Sequence, residues 1–182
     1  PMLARNVEQL GQVFTPPKVV EFMLALCGNR GRALEPSAGD GVFFQLLKER
    51  HPDCVGIEID PRVAPAGAEV RDFFDYPVDE QFDTIVGNPP YVRYQDVAVD
   101  TKKRLKSDLF DARSNLFLFF IEKCVRHLKP GGELVFIVPR EFIKLTAAKK
   151  LNAWLFEQGS ITHFFETGDS RVFGEHTPNC AI

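Results

Sequence analysis

The residues with the clearest chemical potential form a short run, Asn88-Pro89-Pro90-Tyr91. The stretch before it, residues 82–87, is apolar and typical of a β-strand. The Asn88 amide offers an acceptor and two donors, and the two prolines keep a helix from absorbing the backbone carbonyls. Tyr91 adds a flat aromatic face with a polar tip. Acceptors beside an aromatic plate suit a planar ring that carries an exocyclic amine, and a proline-rich turn after a core strand is the structural alternative.

A glycine-rich turn earlier in the chain indicates a nucleotide-type site. The strand predicted over 32–35 ends in Glu35 and leads into a turn that contains Gly39 and Gly41, followed by an apolar helix. Strand, glycine-rich turn and helix open a βαβ unit, and the glycines allow positive φ and close backbone approach. The turn lacks the third glycine of a dinucleotide motif and the Gly-Lys-Ser/Thr of a phosphate loop. Glu35 would repel a pyrophosphate but would accept an ammonium or sulfonium group.

Two more carboxylates follow the next two predicted strands. Glu58 lies in the strand predicted over 54–60, where an acidic residue can accept both hydroxyls of a ribose. An exposed carboxylate at a strand end is the structural alternative for Glu58. Asp72 follows a strand predicted over 68–71, and it could accept a hydrogen bond from an adenine amino group while Phe73 covers the ring.

The elements that must position these residues are helices and strands in alternation. A helix is predicted over about 18–26 after Thr15, and an apolar helix is predicted after Ser114. The later predictions are a strand over 133–138, a helix over 144–157, a sixth strand over 161–165 and the start of a seventh over 177–182. Because the last run stops within a strand, we expect the natural protein to continue beyond Ile182.

Composition places the chain among globular proteins of one domain. It has 182 residues, of which 45% are hydrophobic and 26% charged. The sequence shows neither an apolar run of membrane-spanning length nor a signal peptide. Its four cysteines form no CxxC pair, which indicates buried thiols in a reducing compartment. We therefore expect a cytoplasmic protein with no metal site and no membrane partner.

The net charge of −3 argues against a stand-alone nucleic-acid binder, but the charges are unevenly distributed. Residues 1–92 hold 8 basic and 14 acidic side chains, whereas residues 93–150 hold 13 basic and 7 acidic ones. The basic part includes a cluster at Lys102, Lys103, Arg104 and Lys106. This asymmetry suits a cationic small ligand in the first part and a polyanion at the second, with ordinary solvated helix faces as the alternative.

Three segments in this order resemble motifs of the S-adenosylmethionine-dependent DNA adenine-N6 methyltransferases of restriction-modification systems. They are residues 12–17, residues 35–41 and the run Asn88–Tyr91. The resemblance is greatest to the group whose target-recognition region follows the catalytic domain, and it extends from about Gly11 to Ile182. It implies an α/β, Rossmann-like class I methyltransferase fold with a doubly wound, mostly parallel seven-stranded sheet whose last strand is antiparallel. Residues 1–182 would then be the catalytic domain without the C-terminal target-recognition region.

The resemblance also implies roles for individual residues. Those at the methionine part of the cofactor would be Thr15, Glu35, Gly39 and Gly41. Those at the adenosine would be Glu58 on the ribose, Asp72 on the amino group, and Ile59 and Phe73 on either side of the adenine. The catalytic run would be Asn88, Pro89, Pro90 and Tyr91, with the Asn88 side chain and the Pro89 carbonyl on the target amine. Tyr91 would stack on a flipped base, with Phe173 as a second aromatic partner.

The implied partners are double-stranded DNA, bound mainly through regions beyond Ile182, and a fused or separate endonuclease. Two alternatives keep the cofactor and change the substrate. A glutamine-N5 protein methyltransferase shares the Asn-Pro-Pro-Tyr run but lacks a segment like residues 14–17, and an RNA base methyltransferase would use the same chemistry. A cofactor-binding specificity scaffold without catalysis is a further alternative, against which the intact run Asn88–Tyr91 argues.

Overall fold

The computed structural model describes residues 14–168 and 180–182. In these ranges the helices are α1 (Pro17–Leu26), α2 (Val42–Arg50), α3 (Val99–Lys102), α4 (Leu116–Arg126) and α5 (Lys149–Gln158). The strands are β1 (Ala33–Glu35), β2 (Cys54–Glu58), β3 (Glu69–Val70), β4 (Phe82–Gly87), β5 (Leu128–Phe136), β6 (Val138–Pro139) and β7 (Cys180–Ala181). Short 3-10 turns occur at Phe73–Asp75, Tyr94–Asp96, Arg140–Lys144 and Thr146–Ala148.

Five strands form one parallel sheet in the order β3-β2-β1-β4-β5. Strand β1 is central, and its Leu34 is aligned with Val55 of β2 on one side and Ile85 of β4 on the other. The order therefore reverses between β1 and β4, and ligands of such sheets bind at the carboxyl ends of the strands at this point. The predicted doubly wound, mostly parallel α/β fold is confirmed.

Helices cover both faces of the sheet because successive strand residues point to opposite sides. Ala33 and Val86 enter the core that contains α1 and α2, whereas the adjacent Leu34 and Ile85 enter the core that contains α4. Helix α2 packs closely against β2 at Gly56, because a Cβ at this position would lie 2.6 Å from the Phe44 ring. Both faces of the central strands are thus buried, which is typical of parallel sheets covered by helices.

The last strand is antiparallel, as predicted. Strand β7 pairs with β6, which follows β5, with Val138 opposite Ala181. The sixth strand predicted over 161–165 is not formed, although Phe165 exchanges backbone hydrogen bonds with Ile182 at 2.7 and 2.9 Å and Glu166 bridges to Ala181. Residues 161–165 are exposed, and among the described residues the contacts of this run are at its end, where the Phe165 ring packs edge-on against Phe22 with centroids 5.2 Å apart, so strand propensity alone does not form a strand here. In place of the predicted single seven-stranded sheet, the described residues form a five-stranded parallel sheet and a separate, short antiparallel pair.

No helix in the described ranges has the length and apolar character that a bilayer crossing requires. Over the same residues, His, Cys, Asp and Glu side chains form no group of three or more that could hold a metal ion.

We expect the stability of the fold to decrease on mild acidification because of His127. The ring is fully buried beside Phe73 and Phe82, and its Nδ1 lies 2.7 Å from the Glu80 carbonyl oxygen. Burial lowers the pKa of His127 below its ordinary 6.5. The neutral ring is therefore stabilising above pH 6.5, and this contribution is lost as the pH falls through the lowered pKa.

The measurement is the urea unfolding midpoint between pH 5 and pH 7.5 for the wild type and for His127→Gln, which does not titrate. The variant should show a shallower loss of stability on acidification. Equal slopes would show that His127 is not the group responsible.

Candidate cofactor and target-amine site

The site lies where β1 and β4 end side by side. Asn88 follows β4 directly, and its Nδ2 donates to Thr15 Oγ1 at 3.2 Å. The Ser37 hydroxyl, in the turn after β1, donates to the Asn88 carbonyl oxygen at 3.1 Å. Thr15 itself is buried. The structure thus brings together the three segments that the sequence singled out, over separations of 73 and 51 residues.

Glu35 is a buried acid at the end of β1. It is 1% exposed, and among the described residues its Oε2 has no hydrogen-bond partner. Burial raises the pKa of Glu35 well above its ordinary value, and the nearby carboxylates of Glu58 and Asp40 raise it further. A buried carboxylate is costly without a countercharge. Glu35 therefore fits a ligand that brings an ammonium group into the crevice.

The glycine turn is held by Glu58. The Gly39 amide donates to Glu58 Oε2 and the Asp60 amide donates to Glu58 Oε1, both at 2.8 Å. Gly39 and Gly41 have φ values of +52° and +88°, and a Cβ at position 41 would lie 2.5 Å from Pro65 Cβ. These contacts hold the Glu58 carboxylate rigidly at the end of β2, where an acidic residue meets a ribose in folds of this class.

Of the two residues predicted to lie on either side of the adenine, one is exposed and the other is buried. Ile59 is 43% exposed just after Glu58, whereas Phe73 is 3% exposed. The Phe73 ring stacks on Phe120 with centroids 5.1 Å apart, and the Lys123 ammonium lies 5.3 Å from its centroid. Phe73 thus belongs to the core, and this arrangement does not bring its ring to the ligand crevice.

The target-amine run ends in an anchored tyrosine. The Tyr91 hydroxyl donates to the Ile137 carbonyl oxygen at 2.8 Å, and the ring meets Phe117 edge-on at 5.9 Å. Burial raises the pKa of Tyr91 well above its ordinary value, so the hydroxyl remains a donor at neutral pH. Pro89 is buried and Pro90 is partly buried. Phe173, predicted as a second aromatic partner, lies outside the described residues.

Sequence reasoning missed two contacts of Asp72, the residue predicted for the adenine amino group. Thr101 Oγ1 donates to Asp72 Oδ2 at 2.7 Å, and Arg104 Nη1 lies 3.6 Å from the same oxygen. Nothing in the sequence pattern pairs these residues, which lie about thirty positions apart.

Most residues of the basic cluster (Lys102, Lys103, Arg104 and Lys106) already contact acceptors of the protein, which the sequence did not indicate. Lys103 pairs with Asp100 at 2.8 Å, Arg104 lies 3.6 Å from Asp75, and Lys102 donates to the Gln95 carbonyl oxygen at 3.1 Å. Three of the four basic residues of the cluster thus already contact acceptors nearby, two of them carboxylates. Their charges are partly compensated before any polyanion arrives.

Comparison with solved structures identifies the fold. The fold matches that of a Listeria monocytogenes protein assigned to the class I S-adenosylmethionine-dependent methyltransferases, with a TM-score of 0.72 and 17% identity over 92% of this chain and 58% of that one. At this level of identity the match concerns the fold, which is the class I methyltransferase fold.

A family model described as Eco57I restriction-modification methylase matches residues 58–173. The chain is 35% identical over 173 residues to the Type II methyltransferase M.HincII of Haemophilus influenzae, covering 90% of this chain and 34% of that protein. It is 39% identical over 168 residues to the Type II methyltransferase M.TthHB8I of Thermus thermophilus, covering 82% and 39%. The chain therefore belongs to the Eco57I restriction-modification methylase family, and it spans between a third and two fifths of the length of these two relatives.

We expect Tyr91→Phe to lower stability while keeping part of any activity. The change deletes the hydrogen bond to the Ile137 carbonyl oxygen, which is worth about 1 kcal/mol, and leaves the ring in place. Urea unfolding measures the first effect, and methyl transfer by the full-length protein measures the second. Tyr94→Phe, at the other tyrosine just after the prolines, is the matched control. A fully active and fully stable Tyr91→Phe would show that the anchor is unimportant.

Proposed function

We propose that this chain is the catalytic domain of a DNA methyltransferase that transfers a methyl group from S-adenosylmethionine to the N6 amine of adenine. The observation that carries the proposal is the position of Asn88–Tyr91 at the end of β4, beside β1, whose last residue Glu35 packs against Gly87. Membership of a restriction-modification methylase family supports the reaction and the DNA substrate. The Asn-Pro-Pro-Tyr run supports adenine as the target base.

The residues of the crevice fit the proposed cofactor. Among the described residues no cation is paired with the buried Glu35 carboxylate, and the ammonium group of a methionine moiety would supply one. Glu58 and Asp72 would hold the ribose and the adenine amino group, and the exposed Ile59 would cover the ring. Thr15 and the turn at Gly39 and Gly41 would complete the methionine end. When bound, S-adenosylmethionine supplies an electrophilic methyl group on a positively charged sulfur.

The catalytic run would act on the target amine through hydrogen-bond acceptors. The lone pair of an adenine amine is delocalised into the ring, which makes the amine a poor nucleophile. The Asn88 side-chain oxygen and the Pro89 carbonyl would accept hydrogen bonds from its two N–H groups and favour a pyramidal nitrogen, and one of these protons would pass to solvent once the methyl group has been transferred. These bonds strengthen as positive charge develops on the nitrogen, so they stabilise the transition state more than the ground state. Holding the amine in line with the methyl group that it attacks contributes a further part of the rate acceleration.

The target base must leave the duplex, at a cost of a few kcal/mol. Stacking on an aromatic side chain recovers about 1–3 kcal/mol, and Tyr91, with Phe173 as a second partner, would provide it. The anchored hydroxyl of Tyr91 would hold the ring ready for this contact.

We further propose that most DNA contacts, including base readout, lie in a target-recognition region beyond Ile182, and that residues 1–182 are the catalytic domain alone. The chain spans only about a third of the length of M.HincII, and two of the four residues in its own basic cluster already lie against carboxylates. A fused or separate endonuclease of the same system would be the functional partner, and the cytoplasm is the location that this role requires.

The test is methyl transfer from tritium-labelled S-adenosylmethionine by the full-length protein to duplex DNA, RNA or protein. Chromatography of the digested product should show label only in N6-methyldeoxyadenosine. Label in N4-methyldeoxycytidine would overturn the adenine specificity. Label in RNA or in glutamine would overturn the DNA substrate.

A further inference from the structure

The Asp72 carboxylate is held from both sides by donors of the protein. The Phe74 amide donates to Oδ1 at 2.9 Å, and the Thr101 hydroxyl donates to Oδ2 at 2.7 Å. Arg104 Nη1 lies 3.6 Å from Oδ2, and the guanidinium also reaches Asp75. Two hydrogen bonds and a nearby cation define the direction in which the carboxylate points.

Thr101 lies on a segment that comes from the other half of the site. It belongs to α3, ten positions after the end of the run Asn88–Tyr91, and its side chain is buried. On either side of it, Val97 and Leu105 are buried in the same core as Phe73. The segment is therefore fixed against the end of β3 by packing, and the Thr101 hydroxyl adds the polar contact that reaches Asp72.

A threonine hydroxyl has one hydrogen to donate, and here that hydrogen is given to Asp72. An ionised carboxylate has about four acceptor positions, so two donors from the protein leave capacity for a third from a ligand. A carboxylate that is already oriented loses less freedom when the ligand arrives, which raises affinity and selectivity.

We propose that Thr101 is a positioning residue for the adenine of the cofactor, because its hydroxyl fixes the Asp72 carboxylate in the orientation that accepts the adenine amino group. This inference rests on the proposed function, in which Asp72 binds that group. Thr101 itself does not touch the cofactor; it acts through Asp72. The recognition of the amino group thereby depends on the segment that follows the catalytic run.

Calorimetry on the full chain can separate this role from simple structural support. The probes are S-adenosylhomocysteine and S-inosylhomocysteine, which carries a carbonyl in place of the adenine amino group and therefore cannot donate there. The wild type should prefer the adenosyl ligand. In Thr101→Val, which replaces the hydroxyl by a methyl group, affinity for the adenosyl ligand should fall about tenfold while affinity for the inosyl ligand stays the same.

Thr101→Ser should restore the preference because it restores the hydroxyl. Thr101→Ala gives the same comparison as Thr101→Val without the added methyl group, in case valine impairs folding. Thr146→Val is the matched control, since Thr146 is exposed in the turn before α5. An equal loss for both ligands would mean that Thr101 only supports the fold, and tighter adenosyl binding in Thr101→Val would mean that it blocks the site. Either result overturns the inference.

Asp72→Asn separates the failure of this inference from that of the proposed function. If Asp72→Asn abolishes the preference and Thr101→Val leaves it intact, the adenine contact stands and the role of Thr101 is wrong. If the wild type shows no preference and Asp72→Asn changes nothing, the proposed adenine contact is itself wrong, and the role of Thr101 falls with it.

Discussion

Glu35→Gln should weaken S-adenosylmethionine binding by about tenfold to a hundredfold while leaving the ligand-free protein as stable as the wild type or more so at pH 7.5. A hydrogen bond to a charged group is worth about 1.5–3 kcal/mol, and the substitution removes the charge that would meet the ligand ammonium. In the absence of ligand, the negative charge of Glu35 lowers the stability of the folded protein, because Glu35 is buried beside Glu58. Calorimetry and urea unfolding measure the two effects.

The direction of the stability change follows from the raised pKa of Glu35. A carboxyl whose pKa is raised on folding favours the folded state below its unfolded pKa of 4.5, and this contribution is lost as the pH rises through the higher folded value. Glutamine does not ionise, so Glu35→Gln does not lose stability in this way as the pH rises. If ligand binding stabilises the ionised form, the wild type should release protons on binding and Glu35→Gln should not. Calorimetry in buffers of different ionisation enthalpy detects this difference.

Glu133→Gln is the matched control for Glu35→Gln. Glu133 accepts hydrogen bonds from the amides of Gly28 and Asn29 and from the Thr84 hydroxyl, all between 2.8 and 2.9 Å. These contacts lie near the opposite end of the strands, so this variant should lose stability and keep its cofactor affinity. If Glu35→Gln behaves like Glu133→Gln, the buried carboxylate is structural and the assignment to the methionine ammonium is wrong.

Asn88→Ala in the full-length protein should lose nearly all methyl transfer, by about a hundredfold to a thousandfold, with cofactor affinity almost unchanged. Removing one preorganised polar group at a transition state costs about this much. In the proposal the Asn88 side chain does not itself contact the cofactor, and its link to that site is the 3.2 Å hydrogen bond to Thr15, a residue that the variant retains. Single-turnover transfer to duplex DNA and calorimetry with S-adenosylmethionine measure the two quantities separately.

The control for Asn88→Ala is Asn152→Ala. Asn152 lies in α5, and its Nδ2 donates to the Ile143 carbonyl oxygen at 3.3 Å, so the variant also deletes a hydrogen bond from a side-chain amide. It should transfer methyl groups at the wild-type rate. Wild-type transfer by Asn88→Ala would contradict the amine-acceptor role, and an equal loss in both variants would point to a general loss of structure.

The backbone features of the site could be predicted from the sequence because their causes are local. Two prolines after Asn88 prevent a helix whatever lies around them, and the positive φ at Gly39 and Gly41 is open to glycine at little cost. The alternation of strands and helices likewise restricts the chain to a parallel sheet with a switch point. The placement of Glu35, Glu58, Asp72 and Asn88 at the ends of their strands followed from these patterns alone.

Only the tertiary structure decided what those side chains meet. The raised pKa of Glu35 depends on its burial and on Glu58, 23 positions away. Asp72 meets Thr101 over 29 positions, and Tyr91 meets the Ile137 carbonyl over 46. The predicted sixth strand also depends on a distant segment, since among the described residues this run pairs with residues 180–182 at Phe165 and Glu166, and strand propensity without such pairing does not form a strand. Sequence patterns set local backbone geometry, whereas burial and pairing depend on distant segments whose approach only the folded chain defines.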